Sequence, residues 1–132
     1  MNKRIVNTEH APRAIGPYSQ AIRCNDWLFV SGQIPIDPNT SQLVDGTIED
    51  RTRRVMENIR AILAAAGATF ADVVKATIYV TDLRDFAAIN SIYGSYFPSD
   101  PPARATVQVA ALPLGSPIEI DVVAHVSETK SS

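Results

Sequence analysis

TIEDRTRRVMENIRAILAAAGATFADVVKATIYV, residues 47–80, is a capped amphipathic helix that runs directly into a strand. Thr47 suits the helix cap, and Asp50 three residues on makes an imperfect capping box, because Glu or Gln is the usual partner. Val55, Ile59, Ile62, Leu63 and Ala66 fall at helical spacing. Gly67 is the expected stop, and Arg51, Arg53, Arg54 and Arg60 are assigned to the solvated side. The strand VVKATIYV then alternates, with Val74, Ala76, Ile78 and Val80 read as one face. A second helix begins near Asp82, carries the stripe Phe86, Ile89, Tyr93 and Phe97, and stops at Pro98. Two further strands close the chain, Arg104 to Leu112 and Ile118 to Val126.

Upstream of residue 47 lie a short extended segment, Lys3 to Asn7, and a hairpin. Tyr18 to Cys24 and Trp27 to Ile34 flank Asn25-Asp26, a pair that tolerates the positive φ of a two-residue turn. Setting Cys24 opposite Trp27 and counting back puts Tyr18 opposite Gln33, so Tyr18 and Ser31-Gly32-Gln33 meet at one end of the hairpin. Gly32 interrupts a good strand and marks a bulge or a close approach to the backbone. The order is β-β-β-α-β-α-β-β, an α+β arrangement. Right-handed crossovers put both helices on one face of a mixed sheet. The other face is left uncovered, yet Val73, Tyr79 and Val123 give it apolar character, which implies an oligomer.

Composition narrows the function classes. The chain has 132 residues, enough for a single domain over 1–132, with SETKSS at 127–132 as a polar tail. The net charge of −2 and pI near 5.6 argue against nucleic-acid binding, which leaves a basic footprint. No apolar run reaches the length of a membrane span, and MNKRIVNTEH lacks the apolar stretch of a secretory signal. The lone Cys24 fits a reducing, cytoplasmic setting and reads as a small buried hydrophobe. No Cys/His cluster has metal-ligand spacing, and no glycine-rich phosphate loop is present. His10, in a turn-like stretch, and His125, at a strand end, are read as structural.

Two residues carry chemistry that the bulk numbers do not. Arg104 opens an apolar strand, and its guanidinium fork suits a small carboxylate. Glu119 sits in the next strand as a candidate general base. The last two strands are joined by Pro113 to Pro117 and should run antiparallel, so their beginnings lie at opposite ends of the sheet. An offset of about six residues, or roughly 20 Å, separates the two groups. One small molecule can touch both only across a subunit boundary.

The blocks IGPYSQA (15–21), FVSGQIP (29–35), AAG (65–67), VTDLRDFAAIN (80–90) with the following IY, and PARATVQVAALPLGSPIEI (102–120) resemble the reactive intermediate deaminase family (RidA, YjgF). The resemblance runs from Asn7 to Val126. It implies a chorismate-mutase-like fold of the Bacillus type: a six-stranded mixed sheet with two helices on one face, three copies forming a trimeric barrel with clefts between subunits. It implies hydrolysis of enamines and imines such as 2-aminoacrylate and 2-iminobutanoate to 2-keto acids and ammonia, without metal or cofactor. Under it Arg104 binds the substrate carboxylate, Glu119 handles the attacking water and Tyr18 lines the cleft. Gly32 offers backbone to the substrate with Ser31 close by, and Asn90 supports the pocket. Thr106 stands where the family often has cysteine, which removes any thiol chemistry but spares a role for its main-chain carbonyl. Ala111 stands where many relatives have a basic residue. Two other readings remain beside the enzyme: a non-catalytic trimer binding small keto or amino acids as a regulator, and a ribonuclease, which the acidic pI disfavours.

Overall fold

The computed structural model describes residues 2–126; the tail at 127–132 lies outside them. In chain order the elements are β1 (Lys3–Val6), β2 (Ala21–Cys24), β3 (Trp27–Gln33), β4 (Ile36–Asp37), β5 (Gln42–Leu43), α1 (Ile48–Ala65), β6 (Val73–Val80), α2 (Phe86–Ser95), β7 (Ala103–Gln108) and β8 (Ile118–His125). Six strands form a mixed sheet ordered β1-β2-β3-β8-β6-β7, in which only β6 and β7 run parallel. The fold class is therefore α+β. The small β4–β5 hairpin has no counterpart in the sequence reading, because two-residue strands are too short to show a period.

Helix α1 forms as its sequence directs. The Thr47 hydroxyl accepts from the Asp50 amide at 3.1 Å, and an Asp50 carboxylate oxygen accepts from the Thr47 amide at 3.2 Å. The box closes although Asp replaces the longer Glu. At the other end Gly67 adopts φ +76°, and the amides of Gly67 and Ala68 reach back to the carbonyls of Ala64 and Leu63 at 3.0 and 2.8 Å. That pairing satisfies the last carbonyls of the helix. Val55, Ile59, Ile62 and Leu63 are fully buried against the sheet, each contributing about 1.5–3 kcal/mol. Not all the helix arginines are solvated. Arg53 and Arg60 are exposed, but Arg51 and Arg54 are half-buried, and Arg54 Nε donates to the buried Asn58. Asn58 in turn donates to the Ile36 carbonyl at 2.9 Å and so ties the β4 corner to the helix.

The faces of the sheet are set by alternation, with one exception. Ile118, Ile120, Val122 and Ala124 of β8 face the helices and are buried, as are Ala76, Ile78 and Val80 of β6. A register shift between Val73 and Lys75 reverses the first turn of the pleat. Val73, not Val74, is buried, and Val74 is exposed, so both expectations for this pair are corrected. The open face keeps an apolar share through Trp27, Phe29, Val107 and Val123. Cys24 belongs to that face, beside Trp27, and is half-buried rather than buried. His125 packs edge-on against the Trp27 ring, centroids 4.8 Å apart, and His10 is exposed.

Three boundaries differ from expectation. The β2–β3 hairpin pairs Cys24 with Trp27, but its ladder ends at Ala21 and Val30, so Tyr18 lies in the preceding loop. Helix α2 is preceded by a tight 3-10 turn, Leu83–Asp85, capped by Asp82, and ends at Ser95, before Pro98. Strand β7 ends at Gln108 rather than Leu112, because the chain then leaves the sheet through a 3-10 turn at Pro113–Gly115.

Candidate functional site

Gly32 is the pivot of the larger cleft. The β3–β8 register shifts between Val30 and Gln33, which is the bulge the glycine foretold. There the Glu119 carboxylate of β8 lies directly over the Gly32 Cα. A Cβ at residue 32 would collide with Glu119 Oε2 and sit 2.8 Å from its Cδ. Tyr18, Ser31, Gly32 and Glu119 line one cleft of about 600 Å³, with Ile15 and Leu114 on its walls.

The loop that brings Tyr18 here is held by Gln20, a residue the sequence reading passed over. Gln20 is buried; its carbonyl oxygen accepts from the Thr8 amide at 2.7 Å, and its amide nitrogen donates to the carbonyls of Pro12 and Thr8 at 2.8 and 3.0 Å. Ser31 serves the same loop. Its amide donates to the Gln20 carbonyl at 2.9 Å and its hydroxyl to the Ser19 carbonyl at 2.6 Å. With that proton committed, the Ser31 oxygen is left to the cleft as an acceptor. Leu114 holds φ +58°, a left-handed conformation rare for a bulky residue, and is well exposed at the cleft.

The electrostatics around Glu119 favour its protonated form. Burial raises its pKa, and Asp121, two residues on along the same face, raises it further. Burial also pushes Asp121 up, against the opposing pull of a hydrogen bond from Tyr79 and of the Lys75 charge. The Tyr79 hydroxyl donates to Asp121 Oδ2 at 3.1 Å. A carboxylate so placed is a stronger base than one in water.

Arg104 lies elsewhere. It pairs with Ala76 across β6–β7 and shares the helix side of the sheet with it, whereas Glu119 pairs with Tyr79 on the open side. Along the strands they are offset by three residues, about 10 Å, not six. The sequence estimate of their separation is thus corrected, and the reason they share no pocket is different: they sit on opposite faces. The guanidinium Nη1 donates to Asn90 Oδ1 at 2.7 Å, and its carbon lies 5.4 and 5.1 Å from the ring centres of Phe86 and Tyr93. Thr106, the next residue on that face, shares a hollow with Arg104, Phe86 and Leu83; its hydroxyl is buried with no partner among the described residues. β7 is an edge strand, so the backbone of this half-site has one unpaired side.

The seven site residues read from sequence therefore form two groups. Tyr18, Ser31, Gly32 and Glu119 converge in one cleft; Arg104, Asn90 and Thr106 converge on the β7 edge. Phe86 and Tyr93, placed from sequence only in the stripe of the second helix, join Arg104 here. Their spacing from Asn90 on α2 was the available signal. Among the described residues no three His, Cys, Asp or Glu side chains cluster as metal ligands, and no helix is long and apolar enough to cross a membrane.

The family model described as Endoribonuclease L-PSP matches residues 8–126. The protein DfrA of Myxococcus xanthus is 52% identical, over 94% of this chain and 96% of its own length. The human 2-iminobutanoate/2-iminopropanoate deaminase is 48% identical, over 92% of this chain and 89% of its own. Among solved structures, Escherichia coli TdcF with bound serine superposes with a TM-score of 0.90 at 41% identity, covering 94% of this chain and 99% of that one. With its fold, its blocks of sequence and nearly its whole length in common with these relatives, the chain belongs to the reactive intermediate deaminase (RidA, YjgF) family, the family whose model is described as Endoribonuclease L-PSP.

Proposed function

We propose that this protein is a deaminase that hydrolyses 2-imino acids and their enamine tautomers, with 2-aminoacrylate and 2-iminobutanoate as substrates. One observation carries the reading: a carboxylate made more basic by burial rests on a glycine in a sizeable cleft, while a guanidinium with no carboxylate partner among the described residues waits at a sheet edge. Nearly half-identical relatives named as 2-iminobutanoate/2-iminopropanoate deaminases support it.

Because the two groups occupy opposite faces, the complete site needs a second copy. A trimer whose open sheet faces pack together would bury Trp27, Phe29 and Val107, and would bring the β7 edge of one subunit to the Glu119 cleft of the next. Arg104 then takes the substrate carboxylate in a two-pronged grip. An enamine first gains a proton at its terminal carbon and becomes the imine. Glu119 accepts a proton from water as the water oxygen bonds to the imine carbon. Glu119 returns that proton to nitrogen and relays the adduct's hydroxyl proton after it; the C–N bond breaks and ammonia leaves with its electron pair as the carbonyl forms. Imine and water go in; 2-keto acid and ammonia come out. Positioning plus one general base is worth about 10²–10⁴-fold, enough for a reaction that already proceeds in water. The proposed site for this chemistry is cytoplasmic, although one relative is a chloroplast protein of Arabidopsis thaliana.

Serine bound to the E. coli relative favours a second reading, a cleft that binds small amino or keto acids without turning them over. A coupled assay separates the two. Threonine dehydratase generates 2-iminobutanoate, and its decay is followed with and without this protein. Acceleration supports the deaminase; decay at the buffer rate, with serine or 2-oxobutanoate still bound, leaves the binding reading. The ribonuclease in the family description calls for a basic surface, which a chain of net charge −2 does not favour.

A further inference from the structure

Three residues of α2 converge on one guanidinium. Phe86, Asn90 and Tyr93 lie within about 60° of helix arc. Asn90 takes one hydrogen bond from Arg104 at 2.7 Å, and the two rings take the cation at 5.4 and 5.1 Å. No carboxylate pairs with Arg104 among the described residues. We infer that Phe86 and Tyr93 are positioning residues, which hold Arg104 ready for an incoming carboxylate; this rests on the deaminase reading of the site.

The physical case concerns which partner can hold an arginine without disabling it. An unrestrained arginine side chain at a sheet edge loses its rotamer freedom again at each binding event. A neighbouring Asp or Glu would fix the guanidinium but would consume its donors and neutralise its charge. A ring face attracts the cation and uses no N–H. Asn90 takes a single donor and brings no charge. Four of the five N–H groups remain without a partner among the described residues, enough for a bidentate grip. Tyr93 itself points to the ring as the working part. It is buried, its hydroxyl has no hydrogen-bond partner among the described residues, and burial raises its pKa while Arg104 pulls it down. Its π face, 5.1 Å from the guanidinium carbon, is the part that meets Arg104.

The test reads Arg104 directly and then its consequence. The Nε–H order parameter of Arg104 is measured by ¹⁵N relaxation, in wild type, Phe86→Leu and Tyr93→Phe, without substrate. Kinetics on 2-iminobutanoate follow. Phe86 is half-buried, so leucine keeps most of its packing, and thermal unfolding checks the fold. In Phe86→Leu the order parameter should fall into the flexible range below about 0.6. KM should rise about 2- to 5-fold with kcat little changed. Tyr93→Phe should match wild type in both. An order parameter unchanged in Phe86→Leu would overturn the inference, as would a fall with no change in KM, or a loss of order in Tyr93→Phe. A protein that turns over no imine would instead sink the deaminase reading, and the relaxation data would still show whether the rings hold Arg104.

Discussion

Replacing Gly32 by alanine adds one methyl group at the point where the Glu119 carboxylate rests. The new Cβ would overlap Oε2 and stand 2.8 Å from Cδ, against the 3.4 Å at which ordinary contact begins. The Cδ must therefore retreat by about 0.6 Å and the oxygen by more. Only the end of a flexible side chain is in the way, and the backbone at Gly32 is not left-handed, so the fold has an inexpensive escape: the carboxylate swings off the glycine. Stability should hold, or improve by about 0.4–1 kcal/mol through reduced freedom of the unfolded chain. Catalysis should not hold. A displacement near 1 Å of a reacting group costs about 10²-fold, or roughly 2.7 kcal/mol of barrier. The assay is the coupled imine decay, read alongside thermal unfolding, for Gly32→Ala, Glu119→Gln and the double variant. Because the methyl acts through Glu119, the double variant should be no slower than Glu119→Gln alone. Gly32→Ala at near wild-type kcat, with its melting temperature intact, would refute the placement of the working carboxylate over Gly32.

Other expectations follow from the same geometry. Arg104→Lys keeps the charge but loses the planar fork, so KM should rise at least about tenfold; near-normal kinetics would contradict the two-pronged grip. The pKa of Glu119 is raised, so its working base form is lost as pH falls, and the acid limb of kcat/KM should lie above the range of an ordinary glutamate. Asp121→Asn removes the like charge and should move that limb to lower pH; a limb that stays put would exclude the Asp121 contribution. For stability the sign is opposite to the usual carboxylate case. A raised pKa means the folded state holds the proton more tightly, so ionised Glu119 costs stability above its folded pKa and nothing below its unfolded one. Glu119→Gln should therefore raise the melting temperature at pH 7 and leave it unchanged at pH 3. Phe29→Asp on the open face should split the proposed trimer and abolish turnover while the far-ultraviolet circular dichroism is retained; an active variant at monomer mass would remove the need for a second subunit.

Short-range physics made much of this chain legible as text. The caps and stripe of α1, the tight turn at Asn25-Asp26, the bulge at Gly32 and the two-helix crossover order all follow from interactions within a few residues, and all are present. The site residues were legible mainly as a resemblance, since Arg104 and Glu119 alone look like any charges on strands. Where sequence reading slipped, the cause was pairing between distant strands. Alternation named Val74 as core, but the register shift against β8 put Val73 there. Counting along the chain gave the wrong offset for Arg104 and Glu119, because β6 lies between their strands and sets both registers. Phe86 and Tyr93 read as packing, since a periodic stripe says which face is covered and not what covers it.

By itself, then, the order of residues determined the two helices, the six strands of the main sheet and their order along the chain, which local backbone preferences and hydrophobic period are sufficient to specify. Tertiary structure alone decided that Glu119 and Arg104, the proposed base and clamp, stand on opposite faces of one sheet, that a carboxylate lies on a bare Cα, and that two rings embrace a guanidinium. Those are contacts between residues far apart in the chain. They depend on register, and a shift of one residue in register would turn every side chain to the other face.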